Sequence, residues 1–253
     1  MVKFVWITEM TDPIEYWHTL LPLIKKGEPV IIYTKGHLPT EVIDKAKVYK
    51  NLAVEISITG WGGTWLEPRV GRPQQMINYF NKLVQVFGKN RIRLRIDPVI
   101  PTVEGVARAS SIALMLYKPV KIITSMIQLY KGQEKIFTKL GIDMNKYTIK
   151  SGNALYPEKA LAERWYKLLT NINPNLIGLV QFCGMPYEIE GAVHTGCIDD
   201  ELLQAIGVTD YKKIAPGKQR PGCKCTIQKK QAIMGVCNHG CKYCYAHKEH
   251  ALR

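Results

Sequence analysis

Short apolar runs alternate along this chain with stretches whose apolar residues recur at helical spacing. The runs at 2–8, 30–34, 54–58, 92–96, 120–124 and 176–182 are rich in β-branched and aromatic residues, which predicts strands. The segments 13–24, 40–49, 73–86, 103–116, 131–140 and 157–169 carry the helical period. In 73–86, Met76, Phe80, Leu83 and Val84 share one face and read as core. A short helix at 199–205, a last apolar run at 231–236 and a terminal helix at 242–252 complete the pattern. Pro216, Gly217, Pro221 and Gly222 mark 212–230 as a loop excursion.

Strand and helix in regular alternation predict a parallel sheet with helices outside. This many units suits an α/β fold of the full or partial (β/α) barrel kind, as one domain over 1–253 with a cysteine-rich part at 183–253. No G-x-G-x-x-G follows a strand and there is no Walker loop, so a dinucleotide fold has no support. In such barrels the chemistry gathers at the C-terminal strand ends. The polar groups predicted there are Thr8, Thr11 and Asp12; Thr34 and Lys35; Ser57 and Thr59; Glu67; Arg95 and Asp97; Ser125; Gln181 and Cys183.

Composition narrows the class. The 253 residues, 46% hydrophobic, are enough to bury a sizeable core. The first residues do not resemble a signal peptide, and no apolar run is long enough to cross a bilayer. All seven cysteines lie beyond residue 182, and an odd, clustered set does not suit a secreted disulfide framework. A reducing cytoplasm, with thiolates free for metal, is the expectation. The net charge is +14, and from residue 211 onward the only acid is Glu249. A basic C-terminal rim of this kind attracts polyanions, nucleic acid among them, although charge runs also serve as plain solvated faces.

The chemistry concentrates in Cys237-Asn-His-Gly-Cys241-Lys-Tyr-Cys244. A C-x3-C-x2-C run offers three thiolates from one tight loop. A [4Fe–4S] cluster has four irons, so three cysteines leave one iron open to a small molecule. The competing reading is a zinc site completed by Cys223 or His239.

With that motif stand Thr11-Asp12-Pro13, Thr34-Lys35, Ser57-Ile-Thr, Glu67-Pro68, Arg95-Ile-Asp97-Pro98, Ser125 with Tyr130, Cys197-Ile-Asp199 and Cys223-x-Cys225. In this order they resemble the radical S-adenosylmethionine (SAM) superfamily, in its spore-photoproduct-lyase-like, DNA-repair-photolyase-like branch. Within that branch the chain is most similar to the DUF1848 family, whose cluster motif is C-terminal. The resemblance implies a circularly permuted partial barrel, because the superfamily's cysteine loop normally follows the first strand and here follows the last. It implies a SAM-binding [4Fe–4S] cluster on Cys237, Cys241 and Cys244, reductive cleavage of SAM to a 5′-deoxyadenosyl radical, and a reductant such as ferredoxin or flavodoxin. Tyr243 would flank the adenine, Lys35 would pair with the methionyl carboxylate, and Thr11 and Ser57 would hydrogen-bond the cofactor. The implied substrate is a nucleic-acid base or nucleotide. The alternatives are a peptide or small metabolite, or a non-catalytic zinc or iron–sulfur nucleic-acid-binding protein. Spore photoproduct lyases return hydrogen through a cysteine, and no cysteine precedes Cys183 here, a departure that counts against thymine-dimer repair.

Cys183, Cys197, Cys223 and Cys225 remain. Four thiols suit an auxiliary [4Fe–4S] cluster. Zinc, or plain packed thiols, are the other readings. Asp12 reads as a helix cap before Pro13, Arg95 and Asp97 as an ion pair, and His239 as a turn-shaping or solvent-facing residue. His247 and His250 read as exposed on the terminal helix. Trp61 and Trp65 are either a stacking platform or loop cover.

Overall fold

The computed structural model describes residues 1–9, 11–219, 222–233 and 235–244. Strands β1 (Phe4–Ile7), β2 (Val30–Thr34), β3 (Leu52–Ser57), β4 (Ile92–Val99) and β5 (Ile122–Met126) lie side by side in chain order. A separate antiparallel sheet holds β6 (Leu129–Tyr130), β7 (Ile149–Ser151) and β8 (Ala154–Tyr156). Then β9 (Val180–Phe182), β10 (Val193–His194) and β11 (Gln228–Gln231) complete the large sheet. Its eight strands run β10-β9-β5-β4-β3-β2-β1-β11, all parallel. The last strand in the chain therefore lies beside the first.

Every residue of β2 and β5 is buried, as expected where a parallel sheet is covered on both faces. One face carries the main core. Against it pack α1 (Trp17–Lys25), the short α2 (Thr40–Asp44), α3 (Pro73–Phe87) and α4 (Val103–Leu114). Met76, Phe80, Leu83 and Val84 of α3 form the apolar stripe that the sequence spacing predicts, joined by Ile77 and Phe87. Helix α5 (Glu134–Lys139) belongs to the small sheet, and α6 (Lys159–Ile172) adds Trp165 and Leu169 to the main core. The other face holds Val5, Ile7, Ile31, Tyr33, Ala53 and Ile123, together with Leu202 and Leu203 of α7 (Asp200–Ala205) and Cys183, Cys197, Cys223 and Cys225.

Two features depart from the sequence pattern. The last strand is not the apolar run at 231–236 but the polar Gln-Lys-Lys-Gln of β11, whose register is set by pairing Phe4 with Gln228 and Ile7 with Gln231. As an edge strand it needs little apolar surface. The small sheet was not legible, because its strands have only two or three residues each. It packs with Trp61, Leu66, Phe137 and Tyr147 into a separate cluster, against which Tyr243 lies. Among the described residues no helix is long and apolar enough to cross a membrane. Most of the predicted helix at 242–252, with His247 and His250, lies outside the described residues.

Candidate functional site

Because all strands of the large sheet are parallel, their C-terminal ends form one rim, where ligands of such sheets gather. Thr8 and Glu9 follow β1, Thr34 and Lys35 close β2, Ser57 ends β3, Ser125 lies near the end of β5, and Cys183 follows β9. A cavity of 140 Å³ opens at this rim. Thr11, Lys35, Ser57, Tyr243 and the three cysteines Cys237, Cys241 and Cys244 all line it. An adjoining cavity of 210 Å³ shares Glu9, Tyr33, Lys35, Ser57, Tyr243 and Cys244, and adds Arg95, Asp97, Ser125, Gln128, Tyr130 and Cys183. The structure thus brings together the three cysteines of the loop and the cofactor set expected from the sequence.

The 237–244 loop is held to the front of the sheet by contacts with residues more than a hundred positions away. The Thr11 hydroxyl donates to the Gly235 carbonyl at 2.5 Å and accepts from its N–H at 3.2 Å. The Thr11 hydroxyl thus staples the loop while the residue lines the smaller cavity. The Val236 N–H donates to the Tyr16 hydroxyl at 2.9 Å, and the Lys242 N–H to the Leu66 carbonyl at 2.9 Å. The Gln133 side chain donates to the Tyr243 carbonyl at 2.8 Å. At Gly240 the backbone is left-handed, φ +66°, which permits the tight turn before Cys241.

Asp12 does more than cap. One carboxylate oxygen accepts from the Ile14 N–H at 3.2 Å, the expected cap. The other takes the Thr34 hydroxyl at 2.7 Å, the Lys35 N–H at 3.0 Å and His239 Nε2 at 2.6 Å. His239 is therefore an anchor of the loop and not a solvent-facing residue. Burial pushes the Asp12 carboxyl up, but the His239 hydrogen bond and charge, with Thr34 and Lys35, hold it below its ordinary value.

Lys35 donates to Glu67 Oε1 at 2.8 Å and to the Tyr243 hydroxyl at 3.0 Å, and that hydroxyl also donates to Glu67. Glu67 is fully buried, and its second oxygen has no hydrogen-bond partner among the described residues. A buried carboxylate oxygen left this way is costly unless a donor meets it. Burial pulls the Lys35 ammonium down, and Glu67 and Cys241 more than restore it. Burial pushes the Cys241 thiol up to about 12, against the pull of Lys35.

Beneath the larger cavity lie the other four cysteines, all buried. Cys197 Sγ stands 3.5 Å from Cys225 Sγ and accepts from the Tyr33 hydroxyl at 3.3 Å. Hydrogen bonds from Cys183 and Cys225 hold the Cys197 thiol well below its ordinary value. Cys223 is lowered to about 6, chiefly by its hydrogen bond with Cys225. Gly196 lets these loops meet: a Cβ there would fall 2.5 Å from the Cys225 backbone. Among the described residues no three histidine, cysteine, aspartate or glutamate side chains stand as a ready-made metal cage. Sulfur hydrogen bonds link Cys183 and Cys225 to Cys197, and Cys223 to Cys225.

Arg95 and Asp97 pair as expected, but Glu55 also takes Arg95, at 2.8 Å. Trp61 is buried beneath the Arg108 guanidinium and is loop cover; Trp65 is partly exposed, with Lys139 over its ring at 4.0 Å. The basic rim is partly neutralised, since Lys213, Lys224 and Lys229 pair with Asp200, Glu188 and Glu9. Sequence reasoning did not assign roles to Glu67, Tyr33 or the Asp12–His239 pair. A glutamate in an otherwise apolar loop, and a tyrosine inside the apolar run of β2, were the available signals.

The donor chemistry at the rim fits an iron–sulfur cluster: three thiols of one loop line a single cavity, beside a half-buried lysine. No curated protein and no solved structure matches the chain. A family model, Domain of unknown function (DUF1848), matches residues 29–246. That span runs from the approach to β2 through the cysteine loop, and the chain belongs to the DUF1848 family.

Proposed function

We propose that this protein is a radical SAM enzyme on a circularly permuted partial barrel, with Cys237, Cys241 and Cys244 as the cluster ligands. The observation that carries the reading is the single cavity at the C-terminal strand ends, walled by those three thiols and by Thr11, Lys35, Ser57 and Tyr243. The position of β11 beside β1 supports the permutation, because the loop leaving β11 then stands where a loop leaving a first strand would stand. Bound there, a [4Fe–4S] cluster with SAM supplies a 5′-deoxyadenosyl radical that abstracts hydrogen from substrate. The chain's own residues bind and orient. Lys35 presents a fixed positive charge to a carboxylate, and the unpartnered oxygen of Glu67 suits an ammonium group. The ring of Tyr243 stands where an adenine can lie, and Ser57 borders both cavities.

The 210 Å³ cavity, with Arg95, Asp97, Ser125, Gln128 and Tyr130 on its wall, is the place for the substrate group. A nucleic-acid base or nucleotide is the first candidate, and a base within a duplex would have to be extruded to enter. The ion pairing of Lys213, Lys224 and Lys229 favours a second candidate, a small metabolite that needs no long basic track. In either case the electron comes from a low-potential carrier of the ferredoxin or flavodoxin kind.

Anaerobic purification and reconstitution test the reading. The expected protein is brown and releases 5′-deoxyadenosine from SAM after dithionite reduction. A colourless zinc protein with no SAM cleavage would overturn it. Retention on DNA or RNA that weakens with salt separates the nucleic-acid substrate from the metabolite.

A further inference from the structure

We propose that Cys183, Cys197, Cys223 and Cys225 form a second metal site, separate from the 237–244 loop, that binds a thiophilic metal centre through four thiolates. Three stretches of chain converge to build it. Cys183 follows β9, Cys197 precedes α7, and Cys223 and Cys225 precede β11. All four side chains are buried.

Simple packing does not account for what surrounds them. Cysteine can fill a core as a small apolar residue, and such a residue needs no hydrogen-bond donors. Here the Tyr33 hydroxyl and the Cys225 thiol both approach Cys197 Sγ, at 3.3 and 3.5 Å. Gly196 is required for the Cys197 and Cys225 backbones to come so close. Two cations are also sunk nearby. Lys229 points inward from β11 with its side chain 9% exposed and pairs with Glu9, and Arg95 lies over the Tyr33 ring at 5.2 Å. Buried cations beside a group of thiols suit an anionic centre.

A hydrogen bond between two sulfurs keeps a proton between them. Metal binding removes those protons, and the four like charges that result are held together only by a cation among them. Four thiolates close the coordination shell of zinc or cap every iron of a [4Fe–4S] cluster. This site is therefore closed, whereas the three-cysteine loop leaves a position open. Cys183 also walls the 210 Å³ cavity, so the second centre borders the space assigned to substrate.

The test uses the full chain with Cys237, Cys241 and Cys244 all replaced by serine, purified anaerobically and reconstituted separately with iron plus sulfide and with zinc. The expected result is retention of metal in one of these arms: iron with sulfide identifies a cluster, and about one zinc per chain identifies a single ion. Adding Cys197→Ser should lower the retained metal roughly tenfold or more. Alkylation of Cys197 and Cys225 should be slow in the metal-loaded triple variant and fast after chelation, a readout that does not need the fourth substitution to fold. A triple variant that keeps the wild-type circular dichroism but binds neither metal, or whose four thiols label freely without chelator, overturns the proposal. If the triple variant loses all the metal of the wild type, this site falls while the radical SAM reading stands. If it loses none, the radical SAM reading falls while this site stands.

Discussion

His239 and Asp12, 227 residues apart in sequence, meet at 2.6 Å across the mouth of the smaller cavity. The pair fastens the cysteine loop at one end of the chain to the first turn at the other. The same carboxylate holds Thr34 and the Lys35 N–H, so one residue positions both the thiols and the lysine.

Asp12→Ala should therefore loosen the loop without unfolding the sheet. Loss of several hydrogen bonds accepted by one carboxylate predicts a cost of about 1–3 kcal/mol. Hydrogen exchange should quicken at 237–244 and change little in β2 to β5. Unaltered exchange in the loop would show that Thr11, Tyr16 and Gln133 hold it without this pair.

Lys35 and Glu67 give a second prediction. The Glu67 side chain is only 1% exposed and is met by Lys35 and Tyr243. Lys35→Ala leaves that carboxylate without its cation, which predicts a loss of about 3–5 kcal/mol. Glu67→Gln in the same chain should recover part of it, giving a coupling energy above about 1 kcal/mol in a double-mutant cycle by urea unfolding. Additive losses would mean that the two side chains do not stabilise one another.

How much of this was legible follows from the range of the interactions. The β-branched runs of β2, β3, β4 and β5 declare themselves locally, and they lie in the sheet in chain order. β11 does not, because Gln228–Gln231 is polar throughout and its place beside β1 is decided by a partner more than two hundred residues away. The seven cysteines are legible by residue type, and Thr11, Lys35, Ser57 and Tyr243 through their resemblance to a known family. The roles of Glu67 and His239 were hidden, since each is defined by a partner distant in sequence. The contact of the Thr11 hydroxyl with Gly235 was hidden for the same reason.

Glu55 sets a pH dependence. Burial pushes its carboxyl from 4.5 up to about 7, with Arg95 and Arg93 opposing. An acid whose folded pKa is raised holds its proton more tightly in the folded state. Its contribution is complete below the unfolded value and is lost as pH rises through the folded one. Glu55→Gln carries no such proton. The stability of this variant relative to wild type should rise by about 3 kcal/mol between roughly pH 4 and pH 8. Urea unfolding across that range checks it, and parallel curves for the two proteins would contradict the assignment.

Gly196→Ala probes how tightly the interior thiols are brought together. The added methyl would lie 2.5 Å from both the Cys225 nitrogen and its Cα, atoms of backbone that cannot rotate away. The loops carrying Cys197 and Cys225 must then separate, at a cost of about 1–3 kcal/mol for overpacking a close contact. Separation lengthens the 3.5 Å sulfur contact and withdraws Cys197 from the Tyr33 hydroxyl. The variant should unfold at lower urea, and its Cys197 should react faster with a thiol reagent than in wild type, while the reactivity of Cys237 at the rim stays unchanged. Equal rates at Cys197 would mean that the loops absorb the methyl without moving apart, and that the glycine is not what sets the spacing of the thiols.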